Sequence, residues 1–173
     1  TPVALTVQEG GIIVFFTWVA ICLFAGWPYM RILGYSFTQA AFESVSGWSG
    51  TGLTVTDVAH APHVALLWRS ITQYVGGAGL AIIMLATIAG PIGQGVSAAE
   101  GRTDQLAPHV RDSAKIVIAI YGSYALLGTW ALWIVGMDFF DAVNHTFTAL
   151  GTGGFSTKPE CIAYWDSFPI EFV

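Results

Sequence analysis

Charge is what this sequence has least of. Asp, Glu, Lys and Arg make up 10% of its residues while hydrophobic ones reach 54%, and a soluble domain carries about 25% charged residues to cover its surface. That shortage excludes a globular domain bathed in water on every side. Basic residues are scarcer still, 6 against 11 acidic ones for a formal charge of -5, so no clustered cationic face exists to meet nucleic acid. The 2 cysteines are Cys22, inside an apolar run, and Cys161, far along the chain. A disulfide framework is excluded, and neither thiol has metal-ligand spacing. A charged n-region with a cleavage-site pattern is also missing. The chain opens at Thr1 and stops at Val173 just as a new apolar segment begins, which is read as the mark of a piece of a longer protein.

What the sequence has instead is uncharged length. Residues 10–30, between Glu9 and Arg31, and residues 70–99 and 116–137 hold no charge, and each reaches the roughly 20 apolar residues of a membrane-spanning helix. Trp27, Pro28 and Tyr29 mark one membrane interface, and Trp130 and Trp133 another. Pro62 opens the second span, and Pro91 with its neighbouring glycines ends it near Gly90. The glycines at Gly76, Gly77 and Gly79 in its middle are read as close helix packing, with a hinge beside a central pathway as the alternative. The connection over 100–115 carries Arg102, Arg111 and Lys115, outnumbering Arg31 and Lys158 on the other face. Positive charge therefore places the connection in the cytoplasm and the remaining loops outside.

Between the spans lie two polar, glycine-rich stretches. In the first, Ser36-Phe37-Thr38-Gln39 has the form of a capping box. It starts a helix too short to cross, which runs into Ser46-Gly47-Trp48-Ser49-Gly50-Thr51-Gly52-Leu53-Thr54-Val55. Backbone rich in glycine is tolerated at membrane depth only where it is buried in protein or lines a wet cavity, so this is read as a re-entrant loop that leaves through 53–61 on the side it entered. In the second, Asp138 caps a short run leading to Gly151-Thr152-Gly153-Gly154-Phe155. Aligning Gly52 with Gly154, an offset of 102, brings Ser36 to Asp138, Ala40 to Ala142, Ser44 to Thr146, Ser46 to Thr148, Leu53 to Phe155 and Thr54 to Ser156. The chain thus reads as a repeat of span, loop and span. The first copy covers 1–104, with an outer helix over 10–30, a loop over 36–61 and an inner helix over 62–90. The second covers 105–173, with an outer helix over 112–137, a loop over 138–158 and the start of an inner helix near 170.

The run from Phe42 through Ser46-Gly47-Trp48-Ser49-Gly50-Thr51-Gly52 to Thr54 resembles the first pore loop of the Trk/Ktr/HKT superfamily of potassium transporters. Residues 68–79 resemble the helix that follows it in those proteins, and His145 to Thr157 the second pore loop. The resemblance implies an all-α integral membrane fold of potassium-channel-like repeats, each an outer helix, a re-entrant pore loop and an inner helix, four of them around one pore in the cell membrane. It implies uptake of K⁺ and no enzymatic activity, with K⁺ as transported ion and no covalent cofactor. It further implies the lipid bilayer and the remaining repeats of the same transporter as partners, together with a homodimer and a cytoplasmic nucleotide-binding regulatory subunit. Relatives with glycine in all four loops favour K⁺ and some plant relatives with serine in the first pass Na⁺, so Gly52 and Gly154 lean toward K⁺ while the other two loops leave Na⁺ open.

The physics of such a filter points to residues. Backbone carbonyls replace the ion's hydration shell, and glycine allows the torsions that aim them; the short helices direct the partial negative charge of their carboxyl ends at the cation. The candidate ion-binding residues are Ser49, Gly50, Thr51, Gly52 and Leu53, with Gly151, Thr152, Gly153, Gly154 and Phe155. Arg69 is the one charge well inside a span. It reads as a structural partner of Glu43 or Asp57, or as a snorkelling side chain, with a direct role in gating as the alternative. Asp57, Asp138, Asp141, Glu160 and Asp166 lie on the loop side, where they can gather cations or serve as caps. Two other readings compete. Gly47-Trp48-Ser49-Gly50 matches the short Gly-x-Ser-Gly pattern of rhomboid-type intramembrane proteases, with His145 as the candidate base. Alternatively, the glycines do no more than pack helices in a polytopic membrane protein.

Overall fold

The computed structural model describes residues 7–88 and 110–173, and every element in it is helical. In chain order these are α1 (Val7–Leu33), α2 (Phe37–Ser49), α3 (His63–Ile88), α4 (Val110–Ile134), α5 (Phe139–Leu150), a 3-10 turn (Cys161–Trp165) and α6 (Phe168–Phe172). The stretch around Pro91 and most of the polar connection over 100–115 lie outside the described residues.

Two of the described helices, Gln8–Leu33 and Ala114–Ile134, are long and apolar enough to cross a membrane. Their large side chains point outward in numbers that water would not tolerate: Phe15, Phe16, Leu126 and Ile134 are exposed, Phe24 by 75%. Pro28 sits inside α1, which runs on to Leu33. The outer helix read over 10–30 thus continues past the Trp-Pro-Tyr triplet. Proline removes one backbone donor, and packing against neighbouring segments can compensate for that loss in an apolar helix.

The two short helices begin at their caps. Ser36 and Gln39 form the reciprocal capping box at the start of α2, with Ser36 N–H donating to Gln39 Oε1 at 3.0 Å. Asp138 accepts from Phe140 N–H at 3.0 Å at the start of α5. Each then packs against its long neighbour. Ser44 Oγ donates to Cys22 O of α1 at 2.6 Å. Gly128 of α4 leaves room for Thr146 of α5, whose Cγ2 would stand 2.8 Å from an added Cβ.

Helix α3 packs against both pairs, α1 with α2 and α4 with α5. Trp68 Nε1 donates to Ala25 O of α1 at 3.1 Å, and Ser70 Oγ donates to Asn144 Oδ1 of α5 at 2.6 Å. Tyr74 stacks on Phe147 with ring centroids 4.6 Å apart. Its glycines serve this close approach: a Cβ on Gly76 would strike Trp48 O, and one on Gly77 would lie 2.8 Å from Gly151 Cα. Close packing accounts for both, within a helix that runs unbroken from His63 to Ile88. A small apolar cluster of Leu132, Met137, Ala142 and Ile170 closes the far end of the second unit.

Candidate ion-pathway site

After α2 and α5 the chain leaves the helix by the same route twice. Gly50 N–H donates to Gly47 O and Thr51 N–H to Ser46 O; 102 residues later Thr152 N–H donates to Ala149 O and Gly153 N–H to Thr148 O. The left-handed residues recur at the same offset, Gly50 (φ 69°) with Thr152 (φ 52°) and Gly52 (φ 78°) with Gly154 (φ 74°). At Gly52 and Gly154 the conformation favours glycine, because an L side chain there crowds its own backbone.

The two loops meet backbone to backbone. A Cβ on Gly50 would lie 3.1 Å from Gly151 O, and one on Gly52 would collide with Gly153 O. Between them the loops separate a pair of cavities. One, of about 450 Å³, is lined by Trp18, Trp48, Ser49, Gly50, Gly77, Tyr121, Gly151 and Thr152. The other, of about 310 Å³, is lined by Gly52, Thr54, Asp57, Arg69, Gly154, Phe155 and Lys158 among others. The candidate residues 49–53 and 151–155 therefore lie together, with both loops bordering both cavities.

Behind the loops is a buried polar network. Glu43 is 0% exposed and Arg69 1%, with Arg69 Nε 3.4 Å from Glu43 Oε2. Glu43 Oε1 accepts from Thr54 Oγ1 at 2.6 Å, from Val55 N–H and from Thr56 N–H at 3.0 Å. Arg69 donates through Nη2 to Thr54 Oγ1 at 2.9 Å and through Nη1 to Ser156 O at 3.2 Å, with its guanidinium carbon 4.1 Å from the centre of the Phe155 ring. The partner of Arg69 is thus Glu43 and not Asp57, and the guanidinium is buried, not snorkelling. A buried ion pair survives desolvation only when its remaining donors and acceptors are also satisfied, which these contacts provide.

The second loop has its own support. His145 Nδ1 donates to Asp141 O at 2.8 Å, which leaves Nε2 to accept from Ser156 Oγ at 3.0 Å. Thr157 Oγ1 donates to Asp141 Oδ1 at 2.7 Å, and Lys158 Nζ stands 3.3 Å from Asp141 Oδ2. From α3, Gln73 Oε1 accepts from Phe155 N–H at 3.1 Å. Gln73 and His145 in this supporting role are what residue patterns left unread. The available signal was a lone amide inside an apolar span, four residues after Arg69.

Ser49 and His145, the proposed nucleophile and base, lie in separate networks, and two histidines near the loops have partners of their own. Ser49 Oγ shares a 2.7 Å hydrogen bond with Thr51 Oγ1, while His145 is engaged with Asp141 and Ser156; the nucleophile–base pair of a serine protease is not assembled. His60 Nδ1 pairs with Asp57 Oδ2 at 2.8 Å, a bond that holds the Asp57 carboxyl below the usual carboxylate range. His63 stacks on Phe140 at 4.4 Å.

Comparison with known proteins bears on this geometry. The sequence pattern of the TrkH family, described as a cation transport protein, matches residues 4–173. The chain is 33% identical over 169 residues to the Trk system potassium uptake protein TrkH of Escherichia coli K12, covering 92% of this chain and 35% of that protein. It is 33% identical over 141 residues to an uncharacterized cation transporter of Methanocaldococcus jannaschii, covering 80% of this chain and 30% of that one. The fold superimposes on the crystal structure of the potassium transporter TrkH from Vibrio parahaemolyticus with a TM-score of 0.83 at 30% identity, over 99% of this chain and 35% of the other. The chain spans about a third of the length of these relatives.

Proposed function

Because this chain belongs to the TrkH cation transport family, we propose that it supplies a portion of the ion pathway of a Trk-type potassium uptake protein. The cation passes between the two loops, its water replaced by carbonyls of 49–53 and 151–155, with Gly52 and Gly154 at the centre. The observation that carries this reading is the matched pair of left-handed glycines, φ 78° and 74°, in two loops that meet backbone to backbone between two cavities. Packing alone would need neither the matched torsions nor the cavities.

On this reading α2 and α5 aim their carboxyl ends at the cation and contribute partial negative charge without a full carboxylate. Residues 1–104 and 105–173 are then two repeats of a larger pore, the loops open to the outside, and the connection over 100–115 is cytoplasmic. Arg69 and Glu43 act as a structural pair. K⁺ is the preferred ion, and a homodimer with a cytoplasmic nucleotide-binding regulatory subunit is the assembly.

The test is uptake in cells that lack their own K⁺ uptake systems, using the full-length protein that carries these residues. Wild type restores growth on low K⁺; Gly52→Ser and Gly154→Ser each raise the K⁺ needed for growth and admit more Na⁺ relative to K⁺. Unchanged K⁺ and Na⁺ uptake in both variants, at equal membrane abundance, would overturn the reading.

A further inference from the structure

We propose that Arg69 and Gln73, one turn apart on α3, are positioning residues for cation discrimination: together they clamp the Phe155–Ser156 segment from behind and so fix the direction of the Gly154 carbonyl. The inference rests on the filter reading above and adds to it the group that sets the second loop.

The clamp takes hold of neighbouring residues by opposite chemistry. Gln73 Oε1 accepts from Phe155 N–H at 3.1 Å, and Arg69 Nη1 donates to Ser156 O at 3.2 Å while its guanidinium lies over the Phe155 ring. No peptide bond among the described residues is cis. In a planar trans peptide the carbonyl of Gly154 points opposite to the N–H of Phe155. Holding that N–H against α3 therefore turns the Gly154 carbonyl away from α3. With the amide released, the peptide plane can rotate, and the carbonyl that replaces some of the ion's hydration shell loses its aim.

Gln73 is there for its oxygen. Among the described residues its Nε2 meets no hydrogen-bond acceptor, so the oxygen is the atom the loop engages. What an apolar side chain of the same length lacks is the acceptor for Phe155. Room for the amide is made on the loop itself, since a Cβ on Gly153 would overlap the Gln73 carboxamide. Arg69 extends the hold to the first loop, because the same guanidinium donates to Thr54 Oγ1. One helix thereby keeps the two loops in register.

The experiment measures K⁺ and Na⁺ uptake, each as KM and maximal rate, in cells expressing the full-length protein. Gln73→Met removes the acceptor at similar volume; Gln73→Glu restores an acceptor oxygen. Arg69→Lys keeps the charge opposite Glu43 but replaces the two Nη donors, one to Thr54 and one to Ser156, with a single nitrogen. Gly154→Ser is the control for the filter itself. The expected result is a roughly three- to tenfold loss of K⁺ over Na⁺ preference in Gln73→Met and Arg69→Lys, the scale of one lost hydrogen bond, with membrane abundance preserved and partial recovery in Gln73→Glu. Wild-type preference in Gln73→Met and Arg69→Lys alongside altered preference in Gly154→Ser overturns the clamp and leaves the filter standing. Unaltered preference in Gly154→Ser overturns the filter. Failure of all the α3 variants to assemble assigns Arg69 and Gln73 to folding alone and overturns the proposal as well.

Discussion

Glu43 and His145 stand at equivalent places on their two short helices, separated by the offset of 102 that also relates Gly52 to Gly154, and each bonds the hydroxyl two residues beyond its glycine. Glu43 meets Thr54 Oγ1 at 2.6 Å and His145 meets Ser156 Oγ at 3.0 Å. The position is the same while the chemistry differs. A carboxylate with a guanidinium partner braces the first loop, and an imidazole anchored to a backbone carbonyl braces the second.

That difference sets unequal costs. Glu43→Ala leaves Arg69 buried without its counter-charge, a loss of about 3–5 kcal/mol by precedent for broken buried pairs. The expected outcome is a large fall in thermal stability of the detergent-solubilised protein. Replacing both residues, Glu43→Ala with Arg69→Met, recovers some of the loss, and the double-mutant cycle with the two single variants reads the coupling. Additive single effects would contradict the pairing.

His145→Leu removes two neutral hydrogen bonds, to Asp141 O and from Ser156 Oγ, and leaves the Ser156 hydroxyl without its acceptor, which costs about 1–2 kcal/mol. The variant should assemble and lose less stability than Glu43→Ala. A thermal unfolding comparison of the two checks the order.

The glycines of α3 should differ sharply among themselves. Gly76→Ala and Gly77→Ala drive a methyl into backbone atoms of Trp48 and Gly151, whereas a Cβ on Gly79 meets nothing within 4 Å. Gly79→Ala should be neutral, or stabilising by up to about 1 kcal/mol through helix propensity. Gly76→Ala and Gly77→Ala should abolish uptake or assembly. Membrane abundance and K⁺-dependent growth separate the cases.

Gly52→Ala should be worse than Gly154→Ala. Both carry a left-handed torsion costing about 1–2 kcal/mol for alanine, but Gly52 alone would also strike the facing loop at Gly153 O, while Gly154 has open space. Uptake rates in the two variants, normalised to abundance, give the ranking.

Ser49→Ala removes only an exposed hydroxyl pair with Thr51. K⁺ uptake should stay within about twofold of wild type, because the pathway is assigned to the Ser49 carbonyl, which alanine keeps, and the lost hydroxyl bond is worth less than about 0.5 kcal/mol. Loss of proteolysis of a membrane substrate in this variant, with uptake intact, would instead revive the serine-protease reading.

Local chemistry was what the sequence showed best. Ser36 with Gln39, and Asp138, announce helix starts because capping is settled between residues three or fewer apart, and glycine clusters announce unusual torsions for the same reason. The outer helix read over 10–30 already included Pro28, and α1 runs through it to Leu33, three residues past that reading. Arg69 could be matched to Glu43 or Asp57, since charge complementarity narrows partners without choosing between them. Gln73 gave no such lead. A neutral amide declares no preferred partner, and the one it holds, Phe155, is 82 residues away.

The reach of α3 also sets an order of construction. Each loop has a short-range brace, Glu43 to Thr56 over 13 residues and His145 to Ser156 over 11, and Arg69 of α3 completes the first from 26 residues beyond Glu43 and 15 beyond Thr54. The second loop is also held from α3, but over far longer separations, 87 residues from Arg69 to Ser156 and 82 from Gln73 to Phe155. Contacts that far apart form late, after the entropy of closing a long loop has been met. The hold of α3 on the second loop is therefore expected to close after the Arg69–Glu43 pair, whose partners lie only 26 residues apart.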